Sequence, residues 1–392
     1  MPTYLLARQL LTPLERVENA ALAVEDGIIS AVGPREALTI PAHARVVDFG
    51  DAILAPGLID IHIHGGAGYD VMEGSDDGLA AIEWMLARHG VTSYCPTTVT
   101  APLDRTLKSL EALGKAVKRP SGNGATPPRA RPLGIHLEGP FLSHARRGIH
   151  LPLHLQLPSL EVFNQMRDAA AGRVHMLTIA PELDGALDLI SHVAQRGVCV
   201  SIGHSNATLP QAFAGIAAGA RHATHTFNAM RRLDHRDPGL LGAILTDPAL
   251  TADIIVDGLH VDPLVVDLFV RAKGVEGAVL ITDGISATGM PDGTYKLGLY
   301  EVQLRGDRCE SYGRLAGSVL TLDRAVHNAM RFAALSFQNS LRMATLNPAR
   351  VLGIEHRKGA LQVGADADIA VFSPHGEVLR TIVGGVIKED VS

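Results

Sequence analysis

The sequence predicts an α/β protein: a (β/α)8 barrel of the TIM type, joined to a small β-sandwich domain that is built from both ends of the chain. Apolar runs of strand length recur eight times between residues 58 and 282, separated for the most part by stretches with helical spacing. Both chain ends contain instead short strands joined by turns, and 392 residues are more than one small core requires. A doubly wound open sheet is the alternative for the middle of the chain.

Hairpin signals mark the two ends. Near the start, Asp26-Gly27 lies between two apolar runs, a pattern typical of a tight β-hairpin. Near the end, Ser373-Pro374-His375-Gly376 separates two further runs. Chain termini commonly lie close together. We therefore expect residues 1–55 and 356–392 to form the small β-sandwich domain, and residues 56–355 to form the barrel.

The middle of the chain contains eight predicted strands. They are residues 58–63, 91–99, 133–138, 174–180, 198–203, 223–227, 252–256 and 278–282. Residues 79–87 and 263–270 are examples of the helical spacing between them. Eight β/α units are what a closed barrel of this type requires, and its catalytic groups lie at the C-terminal ends of the strands.

The first predicted strand carries the most informative polar residues. Asp60, His62 and His64 alternate with apolar residues, so their side chains leave the same face of a strand. Two imidazoles one strand repeat apart can hold a metal ion, and the glycines that follow leave space above them. Taken alone, the pair is equally well explained by two hydrogen-bonded histidines in a half-buried strand.

Several other predicted strands also end in a possible metal ligand. These residues are Glu138, His204, His225 and Asp283, and they add to His62 and His64 of the first strand. Four imidazoles and two carboxylates at one barrel mouth would form a site for one or two divalent ions that activate water, with Glu138 as the shared ligand. Zinc, iron, manganese and cobalt all suit these ligands. Two neighbouring residues are interpreted differently: His136 as a barrel-layer residue, and Asp60 as a hydrogen-bonding group behind the ligands.

Composition excludes several classes of function. Apolar residues make up 46% of the chain, charged residues 19%, and the net charge is -6, so no basic surface for nucleic acid is expected. The N-terminus lacks a signal-peptide pattern and no apolar run is long enough for a membrane helix, which predicts a cytoplasmic protein. Cys95, Cys199 and Cys309 are odd in number and widely spaced, which argues against disulfides and against a thiolate metal site.

Specific segments extend the pattern of the first strand over nearly the whole chain. They are Leu137-Glu138-Gly139-Pro140-Phe141, Gly203-His204-Ser205, His225-Thr226-Phe227-Asn228-Ala229-Met230, Pro238-Gly239-Leu240, Asp257-Gly258-Leu259-His260-Val261-Asp262, Thr282-Asp283, Leu315-Ala316-Gly317-Ser318 and Ala344-Thr345-Leu346-Asn347-Pro348-Ala349. With these segments the chain resembles the amidohydrolase superfamily. Within it, the chain most resembles the family of deacetylases that act on N-acetylglucosamine 6-phosphate.

The resemblance implies roles for individual residues. Glu138, His204 and His225 would bind the catalytic metal, and Asp283 would be the general acid and base. His62 and His64 would hold a second ion, although some members of the family replace this pair and use one metal. The remaining implied roles concern the substrate. His150 would polarise its carbonyl, and His260 would contact the sugar. The phosphate would be bound by Asn228, the Ala229 N–H and Arg236. In the family the arginine reaches into the neighbouring subunit, which implies a homodimer.

The implied activity is hydrolysis of N-acetyl-D-glucosamine 6-phosphate to D-glucosamine 6-phosphate and acetate, with a metal-activated water attacking the amide carbonyl. The same chemistry on N-acetyl-D-galactosamine 6-phosphate, or on another N-acyl compound, is the alternative. A non-catalytic barrel that serves as an interaction protein is a further alternative, and the complete ligand set argues against it. Without the resemblance, Arg236 between Asp234 and Asp237 would be interpreted as part of a surface ion pair.

Overall fold

The structure is a computed structural model that describes residues 2–119 and 128–387. Its centre is a barrel of parallel strands that pair in chain order. Barrel strands one to eight are Leu58–Ile63, Val91–Thr98, Ile135–Glu138, Val174–Ile179, Cys199–Ile202, His222–Ala223, Thr251–Ile255 and Ala278–Ile281. The circle closes just past strand eight, where the N–H of Asp283 donates to the carbonyl of His62 at 2.9 Å. The barrel prediction is confirmed, and the open sheet is excluded.

Each barrel strand is followed by at least one helix. The α-helices are Asp76–Arg88, Leu103–Val117, Leu160–Ala169, Ala186–Ala194, Leu209–Ala218, Gly239–Thr246, Pro263–Lys273, Leu322–Ala333, Phe337–Ala344 and Leu346–Val351. Short 3-10 turns lie at Arg35–Ala37, Val71–Glu73, His144–Arg146 and Pro152–His154. With helices outside and side chains inside, strand one is buried along its whole length. In the described ranges, every helix is too short or too polar to cross a membrane.

Barrel strand six is shorter than predicted. The prediction that it extends to Phe227 is wrong, because the chain bends at His225, which has a φ of 31°. The bend is held by strand seven: the Asp253 side chain accepts the backbone N–H of His225, and its carbonyl accepts the N–H of Thr226 at 2.9 Å. This bend turns the His225 imidazole toward the barrel axis.

The chain ends form a seven-stranded sheet, here called the terminal sheet. Its strands are Thr3–Leu11, Arg16–Glu25, Ile28–Pro34, Arg45–Asp48, Ile53–Pro56, Ile369–Phe372 and Val378–Ile382. Ile369–Phe372 pairs antiparallel with Ile53–Pro56, which joins the two ends directly. The sheet contacts the barrel where strands one and two begin, since the Thr381 hydroxyl donates to the carbonyl of Ala87 at 2.5 Å and Gly57 N–H donates to the carbonyl of Asp368 at 2.9 Å. It therefore lies away from the rim that carries the strand C-termini.

A second small sheet, here called the insert, lies between barrel strand eight and the next helix. Its antiparallel strands are Gly293–Leu297, Tyr300–Arg305, Arg308–Ser311 and Arg314–Leu315. From the sequence we placed this segment in the barrel domain and did not predict its strands. Gly298, Gly306 and Gly313 all have positive φ at its turns. The three glycines were turn signals already present in the sequence. The insert packs its buried side chains on loops at the barrel rim.

Candidate active site

The predicted ligands converge at one rim of the barrel. His62 lies in strand one and Glu138 ends strand three, while His64, His204, His225 and Asp283 follow the ends of their strands by one or two residues. His204, His225 and Asp283 have φ values of 48°, 31° and 50°. Such positive values are uncommon outside glycine, and at these three positions they turn the chain so that each side chain points back over the barrel mouth.

Glu138 is shared by two groups of possible ligands. In the first, Oε1 of Glu138 lies 3.0 Å from Nε2 of His225 and 3.2 Å from Nε2 of His204, and the two nitrogens are 3.1 Å apart. In the second, Nε2 of His64 lies 3.2 Å from Nε2 of His62 and 3.4 Å from Oε2 of Glu138. Both groups are buried.

These spacings suit a metal ion. Ligand atoms about 2.0–2.1 Å from zinc in a tetrahedral site lie about 3.4 Å from one another. The ligand atoms of each group lie within 4.8 Å of one another. Hydrogen bonding alone explains this geometry poorly, because two imidazole nitrogens and a carboxylate oxygen compete for too few protons. The residues therefore fit one ion in each group, with Glu138 able to contribute an oxygen to both.

Backbone carbonyls orient two of the imidazoles. Nδ1 of His64 lies 2.9 Å from the carbonyl of Thr97, and Nδ1 of His204 lies 2.9 Å from the carbonyl of Arg146. A carbonyl only accepts hydrogen bonds, so each Nδ1 carries a proton, and Nε2 is the ring nitrogen that faces the site. Nδ1 of His62 and of His225 are buried without a hydrogen-bond partner among the described residues.

The two carboxylates are ionised. Burial by itself would raise the pKa of Glu138, but the facing imidazoles of His62 and His204 hold it well below its usual value. Burial would also raise the pKa of Asp283, but the hydrogen bond from His64 and the charges of His62 and His64 lower it to about 2. The site therefore presents anionic oxygens and imidazole nitrogens to a cation.

His150 differs from the predicted ligands in its protonation. Its Nδ1 accepts the backbone N–H of Thr100 at 3.3 Å and lies 2.8 Å from the Thr100 hydroxyl. Because Nδ1 accepts a proton donor, the neutral ring carries its own proton on Nε2, which lies 3.5 Å from Glu138 Oε2. His150 therefore presents a hydrogen-bond donor at the same place where Nε2 of the other imidazoles would bind a metal ion.

Asp283 is fixed by its neighbours on both sides. Its carbonyl accepts the N–H of Ser318 at 2.8 Å. The preceding residue, Thr282, donates its hydroxyl to Asp60 at 2.6 Å, and the Ser318 hydroxyl donates to the Thr282 carbonyl at 2.5 Å. Asp283 Oδ1 lies 3.1 Å from Nε2 of His64. The carboxylate is thus held beside one group of ligands, and Asp60 occupies the supporting position that the sequence analysis predicted.

Most of the predicted substrate contacts lie at the cavity, and one does not. Asn228, Ala229 and His260 line the cavity above the ligands, together with His150. Nδ1 of His260 is 2.6 Å from Asp257, which directs the other ring nitrogen away from that carboxylate. Arg236 does not line this cavity; it lies on an exposed loop, and its guanidinium has no hydrogen bond or ion pair recorded within residues 2–119 and 128–387.

Several supporting residues were not predicted from the sequence. Asp253 positions His225 through its backbone, and it also lies 3.0 Å from Nε2 of the buried His222. A single carboxylate within the apolar run of strand seven was the available signal. Thr100, which determines the tautomer of His150, had no distinguishing signal. The insert supplies a third group to the cavity, Leu297 and residues 315–317.

Comparisons with known proteins show the family to which the chain belongs. The chain matches the model of the amidohydrolase family over residues 53–388. An N-acetylglucosamine-6-phosphate deacetylase of Vibrio furnissii is 37% identical over 388 residues, covering 98% of this chain and 95% of that one. An N-acetylgalactosamine-6-phosphate deacetylase of Escherichia coli O157:H7 is 38% identical over 373 residues, covering 95% of each.

A solved structure is also similar. A mutant N-acetyl-D-glucosamine-6-phosphate deacetylase of Mycobacterium smegmatis in complex with N-acetyl-D-glucosamine-6-phosphate superposes with a TM-score of 0.91 at 34% identity, covering 99% of this chain and 100% of that one. The resemblance inferred from the sequence is confirmed, and this chain belongs to the amidohydrolase family.

Proposed function

We propose that the protein is a metal-dependent deacetylase that converts N-acetyl-D-glucosamine 6-phosphate to D-glucosamine 6-phosphate and acetate. The observation that carries the proposal is the joint placement, at one rim, of a buried histidine–glutamate cluster, an ionised Asp283 and a histidine that presents an N–H. An amide carbonyl is a poor electrophile, and hydrolysis requires help at the carbonyl, at the water and at the leaving amine. The relatives described above that act on N-acetylated sugar phosphates support this choice of substrate.

We assign Glu138, His204 and His225 to the catalytic metal and His62 and His64, with Glu138, to a second ion. Zinc is the proposed metal, with iron, manganese and cobalt as alternatives, and one or two ions per subunit. A divalent ion bound there would lower the pKa of a water from about 15.7 to about 7 and polarise the substrate carbonyl.

Asp283 and His150 are the proposed catalytic side chains. The ionised Asp283 would take a proton from the attacking water and deliver it to the nitrogen of the departing amine, which must leave protonated. The Nε2–H of His150 would donate to the carbonyl oxygen as it becomes negative, an interaction typically worth about 3–4 kcal/mol. These two groups act on opposite sides of the amide bond and so need different protonation states, which their surroundings supply.

Asn228, the Ala229 N–H and Arg236 are the proposed phosphate contacts, and His260 is the proposed sugar contact. The backbone N–H of Ala229 has no hydrogen-bond partner recorded within the described parts of the chain, and Ala229 lines the cavity, so this N–H is available to an anion. Arg236 carries a planar guanidinium suited to phosphate. Because Arg236 lies outside its own cavity, we propose that it completes the site of the other subunit in a homodimer.

We further propose that the chain is divided into a small domain, residues 1–55 and 356–392, and a catalytic barrel domain, residues 56–355. The residues that line the cavity all fall between positions 64 and 317, within the second range. The three cysteines are unpaired, which supports the proposed cytoplasmic location.

The test is a kinetic comparison combined with elemental analysis. We expect purified protein to contain a divalent metal, to release acetate from N-acetyl-D-glucosamine 6-phosphate, and to act far more slowly on the unphosphorylated sugar. Absence of acetate release from metal-loaded protein would contradict the proposed function. Equal rates with and without phosphate would instead contradict the assignment of Arg236, Asn228 and Ala229.

The galacto epimer is a second candidate substrate. The Escherichia coli relative named for N-acetylgalactosamine 6-phosphate is as similar to this chain as the relatives named for the gluco compound. The two sugars differ in one hydroxyl configuration. Comparing kcat/KM for the two sugar phosphates on the same preparation decides between them.

A further inference from the structure

The insert forms one wall of the cavity, and that wall is apolar. Leu297, Leu315 and Ala316 line the cavity from the insert side, and Val99 and Ile149 complete this part of the lining. Val99, Leu297 and Ala316 are each 2% exposed and belong to a single hydrophobic cluster, against which Ile149 packs. Most of the other lining residues are polar. The most apolar part of an N-acylated sugar phosphate is the hydrocarbon end of its acyl group, and a wall of this kind suits that part best.

We infer that this wall, here called the acyl wall and made of Val99, Ile149, Leu297, Leu315 and Ala316, holds the acyl group of the substrate and limits its length. This inference rests on the proposed function. The carbonyl carbon of an amide is bonded to three atoms in one plane: the oxygen, the nitrogen and the first carbon of the acyl chain. With the oxygen at His150, and the nitrogen leading to the sugar at His260 and its phosphate at Asn228, the acyl chain is left facing the acyl wall.

Several contacts hold the acyl wall beside His150. Thr100, whose N–H and hydroxyl orient His150, directly follows Val99. On the other side of His150, the N–H of Leu151 donates to the hydroxyl of Tyr300 in the insert at 2.5 Å. The group that we propose to hold the carbonyl oxygen is thus joined to the acyl wall from two directions.

Contacts with neighbouring loops also fix the position of the acyl wall. The N–H of Gly298, next to Leu297, donates to Asp70 at 2.6 Å. A Cβ at Gly298 would lie 2.4 Å from Cγ2 of Val99, so the insert turn packs directly on that side chain. In the inferred role, a wall fixed in this way favours a methyl group over longer chains. The protein should therefore prefer N-acetyl over N-propionyl and N-butyryl sugar phosphates.

The experiment measures kcat/KM of the metal-loaded protein for N-acetyl-, N-propionyl- and N-butyryl-D-glucosamine 6-phosphate by release of the free amine. One methylene in an apolar pocket changes kcat/KM by about 10–200-fold. We expect Leu297→Ala to raise the ratio of butyryl to acetyl kcat/KM by about tenfold or more. Metal content, measured separately, should stay that of the unaltered protein.

Two further variants make the test decisive. Leu299→Ala is the matched control, because Leu299 lies in the same turn but is 38% exposed and does not line the cavity; its acyl preference should be unchanged. Leu315→Ala removes a half-buried side chain and provides the same test should Leu297→Ala fail to fold. Folded, metal-loaded variants with unaltered acyl preference would overturn the inference while leaving deacetylation intact. Absence of deacetylation in the unaltered protein would overturn both the inference and the proposed function.

Discussion

Two clusters of buried charge in this protein differ in how their carboxylates are neutralised. Near the terminal sheet, Lys358 pairs with Asp366 at 3.0 Å and with Asp368, and Arg357 donates to Asp366 at 2.8 Å. At the barrel rim, Glu138 and Asp283 face only imidazoles among the described residues.

The difference separates a structural cluster from a functional one. In the first cluster, here called the lysine cluster, the chain supplies permanent cations, so burying the carboxylates needs nothing from outside. At the rim the imidazoles balance the carboxylates only when they bind protons, and the carboxylates raise the pKa of His225 to about 9 although burial opposes this. A metal ion can replace those protons. Buried carboxylates without lysine or arginine partners therefore indicate a place for an external cation.

The largest expected effect follows from removing the shared carboxylate. Glu138→Ala deletes the oxygen ligands of both groups, so we expect metal content to fall to background and acetate release to be lost. Asp366→Asn in the lysine cluster is the matched control and should retain its metal. Elemental analysis of both proteins checks this prediction, and unchanged stoichiometry in Glu138→Ala would refute the assignment of Glu138 as a ligand.

Asp283→Asn should have the next largest effect. The amide keeps the size of the side chain but cannot take the proton of the water, so turnover should fall about 10³-fold or more. Metal content should be retained, because we assign the metal ions to other side chains. Steady-state kinetics at saturating substrate, alongside elemental analysis, is the measurement. Near-normal turnover would show that Asp283 is not the acid and base.

His150→Ala should lower kcat/KM by about 10²–10³-fold with metal content unchanged, since one hydrogen bond to the developing oxyanion is lost. Thr100→Val should have a smaller effect, because the backbone N–H that donates to His150 remains. Thr100→Ser keeps the hydroxyl and serves as the control. A Thr100→Val protein as impaired as His150→Ala would contradict this ranking.

Replacing the lysine of the other cluster should change stability and leave chemistry intact. Lys358 is 10% exposed, and Lys358→Met leaves two buried carboxylates with less compensation, which should lower the free energy of unfolding by about 3 kcal/mol. Chemical denaturation measures this loss. The specific activity of the folded variant should equal that of the unaltered protein, and a loss of activity would mean that the two clusters are coupled.

The smallest expected effect is a pH dependence of the stability difference between the unaltered protein and Lys358→Met. Burial would raise the pKa of Asp366, but the charge of Lys358 and the hydrogen bonds from Arg357 and Lys358 lower it below its ordinary value near 3.8. A carboxyl whose pKa is lower in the folded state adds stability above its unfolded pKa, and this is lost as the pH falls through the folded pKa. The stability gap between the unaltered protein and Lys358→Met should therefore be constant near neutrality and narrow below about pH 4. A gap that widens in acid would contradict this sign.

Much of the site could be predicted because barrel topology makes position along a strand equivalent to position in space. Glu138, His204 and Asp283 are distant in sequence, but each lies at the C-terminal end of a parallel strand, and those ends share one rim. The insert, by contrast, was not predicted. Its turn glycines were visible in the sequence, but nothing in the chain indicated that they belong to a sheet separate from the barrel.

The sequence by itself determined the barrel, the terminal hairpins and the set of candidate ligating side chains, because alternation and strand-end position are local properties of the chain. Only the tertiary structure decided the orientation and protonation of the imidazoles, since the carbonyls of Thr97 and Arg146 and the N–H of Thr100 belong to the backbone, which is the same at every residue. It also decided which apolar residues face the cavity: Leu297 and Val99 are ordinary core residues in the sequence. Their place beside His150 depends on how the insert folds onto the rim.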